Sequence, residues 1–264
     1  MTQFCFLCYS FHMIKEGLSG SSLKLLACLF MLLDHIMKLF EVEIFYSLGP
    51  VFFYIFSPFG TLSFFIFAYF IAEGLRYTHS KSKYLIRLLL FALISEVPFR
   101  FFKGLITATA PFVSFGSENV IFTLLYGALA CILYDYFVSR EKKRFALVSV
   151  IIIMLLSVIL KSDYSLYGVL AIFLVYIAKD KRSALLYLSL VILYTYLSLF
   201  ISQLVSYGYS SYLIFTSGSK VIISQLTIPL LYLYNGERGR GLKYFFYIFY
   251  PLHMALLVSI YLLI

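Results

Sequence analysis

An aspartate and a histidine stand side by side, Asp34 and His35, inside the helix-length apolar run Leu23-Lys-Leu-Leu-Ala-Cys-Leu-Phe-Met-Leu-Leu-Asp-His-Ile-Met-Lys-Leu-Phe40. Neutral imidazole is the form a general base requires, and a carboxylate nearby can fix its tautomer and steady the imidazolium formed when it takes a proton. Lys24 lies eleven residues upstream. On a helix beginning near Lys24, a rise of about 1.5 Å per residue carries His35 about 16 Å along the axis. That is close to the middle of a hydrocarbon layer about 30 Å thick. An ionisable group at such a depth costs at least a few kcal/mol, needs a partner, and marks a functional site by default. Adjacent residues on a helix point about 100° apart, so Asp34 and His35 address different partners rather than each other.

Other polar residues interrupt apolar sequence. Glu73 and Arg76 are three apart on one helix face, a spacing that predicts an ion pair. Arg87 and Glu96 share the next apolar stretch, just before Pro98. Asn119 opens another, Asp163 and Tyr164 open a third, and His253 sits midway along the last, in Phe249-Tyr-Pro-Leu-His253. Each also has a structural reading: a paired or snorkelling Glu73–Arg76, Arg87 as a helix-end anchor, and His253 as a satisfied core histidine. Cys5-Phe-Leu-Cys8 has the spacing of a metal site but no second pair. With Cys28 and Cys131 it makes four scattered cysteines, neither a metal centre nor a disulfide framework. No metal is expected.

The elements that must hold these residues follow from composition. With 62% hydrophobic and 12% charged residues and a mean hydropathy of +0.96, the chain reads as an all-α polytopic membrane protein set in a lipid bilayer. Its 264 residues accommodate nine or ten transmembrane helices with short loops, and leave no room for a soluble domain. We expect one transmembrane domain over residues 21–264. It follows a leader, residues 1–20, that lacks the small-residue cleavage site of a signal peptide and could equally start at Met13.

The net charge of +9 is concentrated in short loops: 79–83, flanked by Arg76 and Arg87, then 140–144, 179–182 and 235–243. Clustered Lys and Arg between apolar spans mark the cytoplasmic side rather than a nucleic-acid surface. Between successive clusters lie two apolar stretches each time: 84–102 and 119–138, 145–160 and 164–178, 184–204 and 213–234. Even counts allow all four loops to face the cytoplasm, and the last span, 244–263, ends outside. At the front, a span over 24–40 is followed by an interfacial segment, 41–50, and a span over 51–77 broken at Pro58 and Gly60. This gives nine spans with the N-terminus inside; an independent span over 44–57 gives ten.

Several dispersed blocks carry a family resemblance. The run from Leu23 to His35, Phe70-Ile-Ala-Glu-Gly-Leu-Arg-Tyr-Thr78 and Arg87-Leu-Leu-Leu-Phe-Ala-Leu-Ile-Ser-Glu-Val-Pro98 resemble the TraX family of membrane acetyltransferases. So do Asn119-Val-Ile-Phe-Thr123, Asp163-Tyr-Ser-Leu-Tyr-Gly168, Tyr234-Asn-Gly-Glu-Arg-Gly239 and Phe246-Tyr-Ile-Phe-Tyr-Pro-Leu-His253, in the family's order and over about residues 22–255. The spacing of Lys24 and His35 is similar to that of a basic residue and a histidine in the wider acyltransferase-3-like group. The resemblance implies a multi-pass protein of the bacterial plasma membrane that uses cytoplasmic acetyl-CoA as donor and His35 as its catalytic histidine. The family is named for acetylation of a pilin N-terminus, and the acceptor implied here is an amine or hydroxyl of a peptide or a surface glycan.

Acetyl-CoA is polyanionic, and Lys24 and Arg76 are the basic residues best placed to meet its phosphates. His35, with Asp34, is then the base that activates the acceptor, or a nucleophile in an acetyl-histidine relay. A secondary transporter also uses midplane charges and broken helices, but the chain lacks an internal repeat between its halves.

Overall fold

The computed structural model describes residues 17–110 and 119–263. Among them the chain forms ten helices and no strand. In chain order these are α1 (Gly20–Leu39), α2 (Glu41–Leu48), α3 (Pro50–Tyr77), α4 (Lys81–Thr107), α5 (Val120–Val138), α6 (Lys143–Ile159), α7 (Ser165–Ile177), α8 (Lys181–Tyr207), α9 (Ser211–Tyr232) and α10 (Lys243–Leu263). Local chemistry sets the starts. Ser19, Ser80, Asn119 and Asp180 each accept a hydrogen bond from a backbone N–H two or three residues on, satisfying a donor that has no partner within its helix.

The chain is an all-α polytopic membrane protein. Five helices, α3, α5, α8, α9 and α10, are long and apolar enough to cross a bilayer. The others in the bundle carry charges, as α1 and α4 do, or are shorter, α6 at 17 residues and α7 at 13. The expected break in the 51–77 stretch is a 3-10 turn at Ser57–Phe59, where Pro58 removes a donor from the ladder. The 44–57 stretch is not one helix. Gly49, at φ 88°, divides it into pieces of eight and seven residues. The turn hinged at Lys161-Ser-Asp163 separates α6 from α7. Residues 17–20 join the bundle: Leu18 N–H donates to Leu233 O, and Asn235 N–H donates to Leu18 O. Cys5, Cys8 and the rest of the leader lie outside the described residues, as does the segment 111–118 between the 84–102 and 119–138 stretches.

The second part of α3 is the central helix. Phe64, Phe65, Ile66, Ala68, Ala72 and Leu75 are buried round its whole circumference, and it packs against α1 and α7. On the periphery the pattern inverts. Ile86, Leu90, Leu93, Ile94 and Val97 of α4, and Leu147, Ile151 and Leu155 of α6, are exposed, as faces meeting lipid must be when helices satisfy their own backbone. On α4 the buried positions Leu88, Ala92 and Ser95 lie on the side that carries Glu96.

Hydrogen bonds tie the four basic loops together at one end of the bundle. Lys81 pairs with Asp135, next to the 140–144 loop, at 2.5 Å. Arg76 donates to Val175, Tyr176 and Ala178, beside the 179–182 loop. Lys181 donates to the carbonyls of Tyr232 and Tyr234, and the carbonyls of Glu237 and Arg238 accept from Gly20 and Ser21 at the start of α1.

Candidate functional site

Helix α1 begins at Gly20, four residues earlier than its polar boundary suggested, so His35 lies four residues from the helix end rather than halfway. Asp34 and His35 take different hydrogen-bond partners, as their spacing requires, yet the two side chains also remain within ion-pair distance of each other. The Lys38 Nζ donates to Asp34 Oδ2 at 2.7 Å, one turn along α1. His35 turns to another helix: its Nδ1 lies 2.7 Å from Nε2 of His253 on α10, a residue 218 positions away. The other ring nitrogen, His35 Nε2, stands 3.8 Å from Asp34 Oδ2. That distance is an electrostatic contact and too long for a hydrogen bond.

Close packing places Asp34. A Cβ built at Gly60 would fall 2.2 Å from Asp34 Cγ, so the start of the central helix has to be glycine where that carboxylate lies. The rings around the histidines are equally constrained. Phe102 of α4 meets His35 edge-on with centroids 5.0 Å apart, and Phe249 stacks on His253 at 4.7 Å.

Asp34, His35 and Lys38 line a cavity of about 240 Å³. Its other walls include Gly60, Ser63 and Phe64 of α3, Phe99, Phe102 and Lys103 of α4, Asp163 and Tyr164, and Tyr250 of α10. These come from the last turns of α1 and α4 and the first residues before or within α5 and α7. All of those ends point away from the basic loops. Ile106 and Thr107, at the exposed end of α4, complete the lining. A polar floor within apolar walls, with the histidine 12% exposed and Lys38 53% exposed, forms a site that can position a polar acceptor against a base.

The remaining polar residues singled out in the sequence fall into three places. Asp163 and His253 join the His35 site. Glu96 and Asn119 meet each other: the Asn119 side chain donates to Glu96 Oε2 at 2.7 Å and to the Ala92 carbonyl at 2.9 Å, while Arg100 donates to Glu96 Oε1 at 2.7 Å. This knot fastens α4 to the start of α5, which Asn119 caps. Lys24, Glu73, Arg76 and Arg87 lie toward the basic-loop end.

Glu73 and Arg76 do not form the ion pair that their spacing predicts. Glu73 accepts from the Tyr234 hydroxyl at 3.1 Å. Burial and that neighbouring carboxylate push the hydroxyl above its usual pKa, which keeps it a donor. Arg76 reaches the other way, where its Nη2 lies 2.7 Å from Val175 O and Tyr176 O and 2.9 Å from Ala178 O. Those are carbonyls at the C-terminal end of α7, which has no partner for them within the helix. The Lys24 ammonium lies over the Phe70 ring, 4.5 Å from its centroid, and 5.7 Å from that of Phe246. Arg87 sits beside the Tyr84 ring.

Three ionisable residues of the cavity wall went unmarked in the sequence: Lys38, Lys103 and Tyr250. Lys38 had a legible signal, since it stands four residues after Asp34 on the same helix face. Lys103 follows Glu96 by seven residues, two turns along one face, a weaker sign. Tyr250 is one of 24 tyrosines, and nothing local distinguishes it. Among the described residues no group of three or more His, Cys, Asp or Glu is gathered as a metal site.

A family model described as TraX protein matches the chain over residues 19–261. That stretch runs from the cap of α1 to the last turn of α10 and includes every residue of the cavity. No curated protein and no solved structure matches the chain.

Proposed function

The chain belongs to the TraX family, and on that premise we propose that it is an integral membrane acetyltransferase of the bacterial plasma membrane, with His35 as general base. The observation that carries this reading is a histidine facing a polar cavity with one ring nitrogen bonded to a neighbouring helix and the other directed toward a carboxylate. The donor is cytoplasmic acetyl-CoA. The acceptor is an amine or hydroxyl of a peptide N-terminus or a surface glycan, entering the cavity from the end away from the basic loops.

In this scheme His35 Nε2 removes the proton from the acceptor N–H or O–H. The freed nitrogen or oxygen attacks the thioester carbonyl, forming the new C–N or C–O bond as the C–S bond breaks. The departing CoA thiolate takes the proton from the imidazolium, so CoA leaves as a thiol and the base is restored. Asp34, 3.8 Å from Nε2, stabilises the imidazolium while it exists, and Lys38 holds that carboxylate in place. Lys24 is the cation assigned to the donor's phosphates. It stands eleven residues from His35, about 16 Å of helix, a distance that a long pantetheine arm suits. Arg76, expected to share this role, is assigned instead to holding the end of α7.

The test uses the purified full chain in proteoliposomes with acetyl-labelled acetyl-CoA. Release of CoA thiol that depends on an added peptide amine or polysaccharide, with label appearing on that acceptor, is the expected result. Uptake of solute without acetyl transfer favours a transporter instead. A labelled protein that accumulates without acceptor and then transfers its acetyl group replaces the general-base step with an acetyl-histidine relay.

A further inference from the structure

We infer that His253 is a positioning residue that locks His35 in the tautomer with hydrogen on Nδ1, so that Nε2 is the nitrogen left bare on the cavity side. His253 Nδ1 lies 2.7 Å from the backbone oxygen of Phe249, one turn earlier on α10. A carbonyl oxygen can only accept, so the hydrogen of that bond belongs to His253 Nδ1. His253 is 5% exposed, and among the described residues no carboxylate lies within ion-pair distance of it. Burial without a counter-charge keeps the ring neutral, with a single N–H.

The chain of donors is then fixed. His253 Nε2 has no hydrogen and must accept at 2.7 Å from its only partner among the described residues, His35 Nδ1. In the neutral ring that a general base requires, His35 therefore carries its single hydrogen on Nδ1, and its Nε2 presents a lone pair. The rings are not free to exchange these roles. Phe249 stacks on His253 with planes 15° apart, Tyr250 meets it edge-on, and Phe102 sits against His35. A backbone carbonyl on α10 thus dictates, through one neutral histidine, which nitrogen of a second histidine is basic. An oriented carboxylate does the same for the base of a catalytic triad, where the wrong tautomer costs about 10⁴-fold. Here the relay carries no charge, and Asp34 supplies charge stabilisation from the opposite side of the ring.

The consequence for rate rests on the acetyl-transfer reading; the tautomer itself does not, and the two are tested apart. The chain has four histidines, so ¹⁵N-histidine labelling of the full-length protein in detergent gives a resolvable spectrum, with His35 assigned from the signal missing in His35→Ala. Two-bond ¹H–¹⁵N correlations are expected to show His35 as Nδ1–H and His253 as Nδ1–H. In His253→Phe, which fills the space but cannot accept, His35 should lose that single tautomer. In His253→Gln, whose Oε1 accepts at the same position, it should keep it. Turnover should fall about 10²-fold or more in His253→Phe with the KM for acetyl-CoA unchanged, and recover most of that loss in His253→Gln. His35 found as Nε2–H in the wild-type chain, or still purely Nδ1–H in His253→Phe, overturns the inference. Should His253→Phe not fold, the wild-type spectrum and the Gln variant decide. The expected tautomers in a chain that transfers no acetyl group overturn the functional reading and leave this one standing.

Discussion

At the end of the bundle that carries the basic loops, Arg76 and Lys181 direct their donors at protein carbonyls, and Tyr234 directs its hydroxyl at Glu73. At the other end Asp34, His35 and Lys38 line a cavity of about 240 Å³. Both regions place charged and aromatic side chains against apolar helices, and in the sequence they look alike. The difference is in what the polar atoms face. At the basic end the guanidinium closes the unsatisfied carbonyls of α7, and the ammonium of Lys24 rests over an aromatic ring. At the cavity end a ring nitrogen and a half-exposed ammonium face space that a second molecule can enter. Polar groups within a membrane protein are expensive in either case. What separates structure from chemistry is whether the protein itself completes their bonds.

Replacing His35 by Ala should cut acetyl transfer by about 10²- to 10⁴-fold, the usual range for a positioned general base. Thermal unfolding in detergent should change little, because the ring is bonded to one neighbour and lies beside a cavity. A folded His35→Ala protein with near-normal transfer removes the base from the scheme.

Arg76→Ala should show the opposite profile. The carbonyls of Val175, Tyr176 and Ala178 lose their donor, and at this partly exposed helix end the loss costs about 1 kcal/mol. The unfolding midpoint should drop, while the KM for acetyl-CoA in the protein that remains folded stays where it was. A raised KM at unchanged stability would return Arg76 to the donor site.

These contrasts also show how far the sequence could be read. The apolar stretches fell where helices form because their period and their caps are local properties; Asn119 and Asp180 cap the helices that follow them. Asp34 and His35 were legible because an ionisable pair within such a run has no local reason to be there. Their partners were not equally legible. Lys38 is local, one turn away. His253 is 218 positions distant, and only the packing of α10 beside α1 selects it over other polar residues. The same holds for Asn119 with Glu96 across 23 positions. Glu73 and Arg76 show the reverse error. Their local spacing allowed an ion pair, but tertiary partners, a tyrosine hydroxyl and the end of α7, compete for both and win.

Asp34→Asn sharpens the description of the cavity end. It keeps the shape that Gly60 accommodates but removes the charge 3.8 Å from His35 Nε2. Losing a contact to a charged group of about 2 kcal/mol in the transition state lowers turnover about 30-fold. Lys38 is half-exposed, so its lost ion pair adds at most about 1 kcal/mol to the stability change. Turnover at the wild-type level would mean that the imidazolium is stabilised by another group, with Asp163, also on the cavity wall, as the next residue to replace.

The smallest effect, and the finest test of the contrast, is at Lys24. It is the one residue of the basic end assigned to a ligand, yet its ammonium also has a protein partner, the Phe70 ring at 4.5 Å. If a donor phosphate draws it, Lys24→Ala removes a binding contact that is equally present in ground and transition states. Such a loss raises KM and leaves kcat alone. For a partly exposed cation the size is about 1 kcal/mol, a several-fold rise in the KM for acetyl-CoA. The rise should shrink when the thioester lacks the 3′-phosphate, if that phosphate is the one met, and should shrink with added salt, which screens an exposed pair. Lys24→Arg should keep most of the affinity. An unchanged KM together with a lower unfolding midpoint would place Lys24 beside Arg76, as a cation whose work is done within the protein, and would leave the Gly-rich loop carrying Arg238 and Arg240, folded over the start of α1, as the place to look for the donor's phosphates.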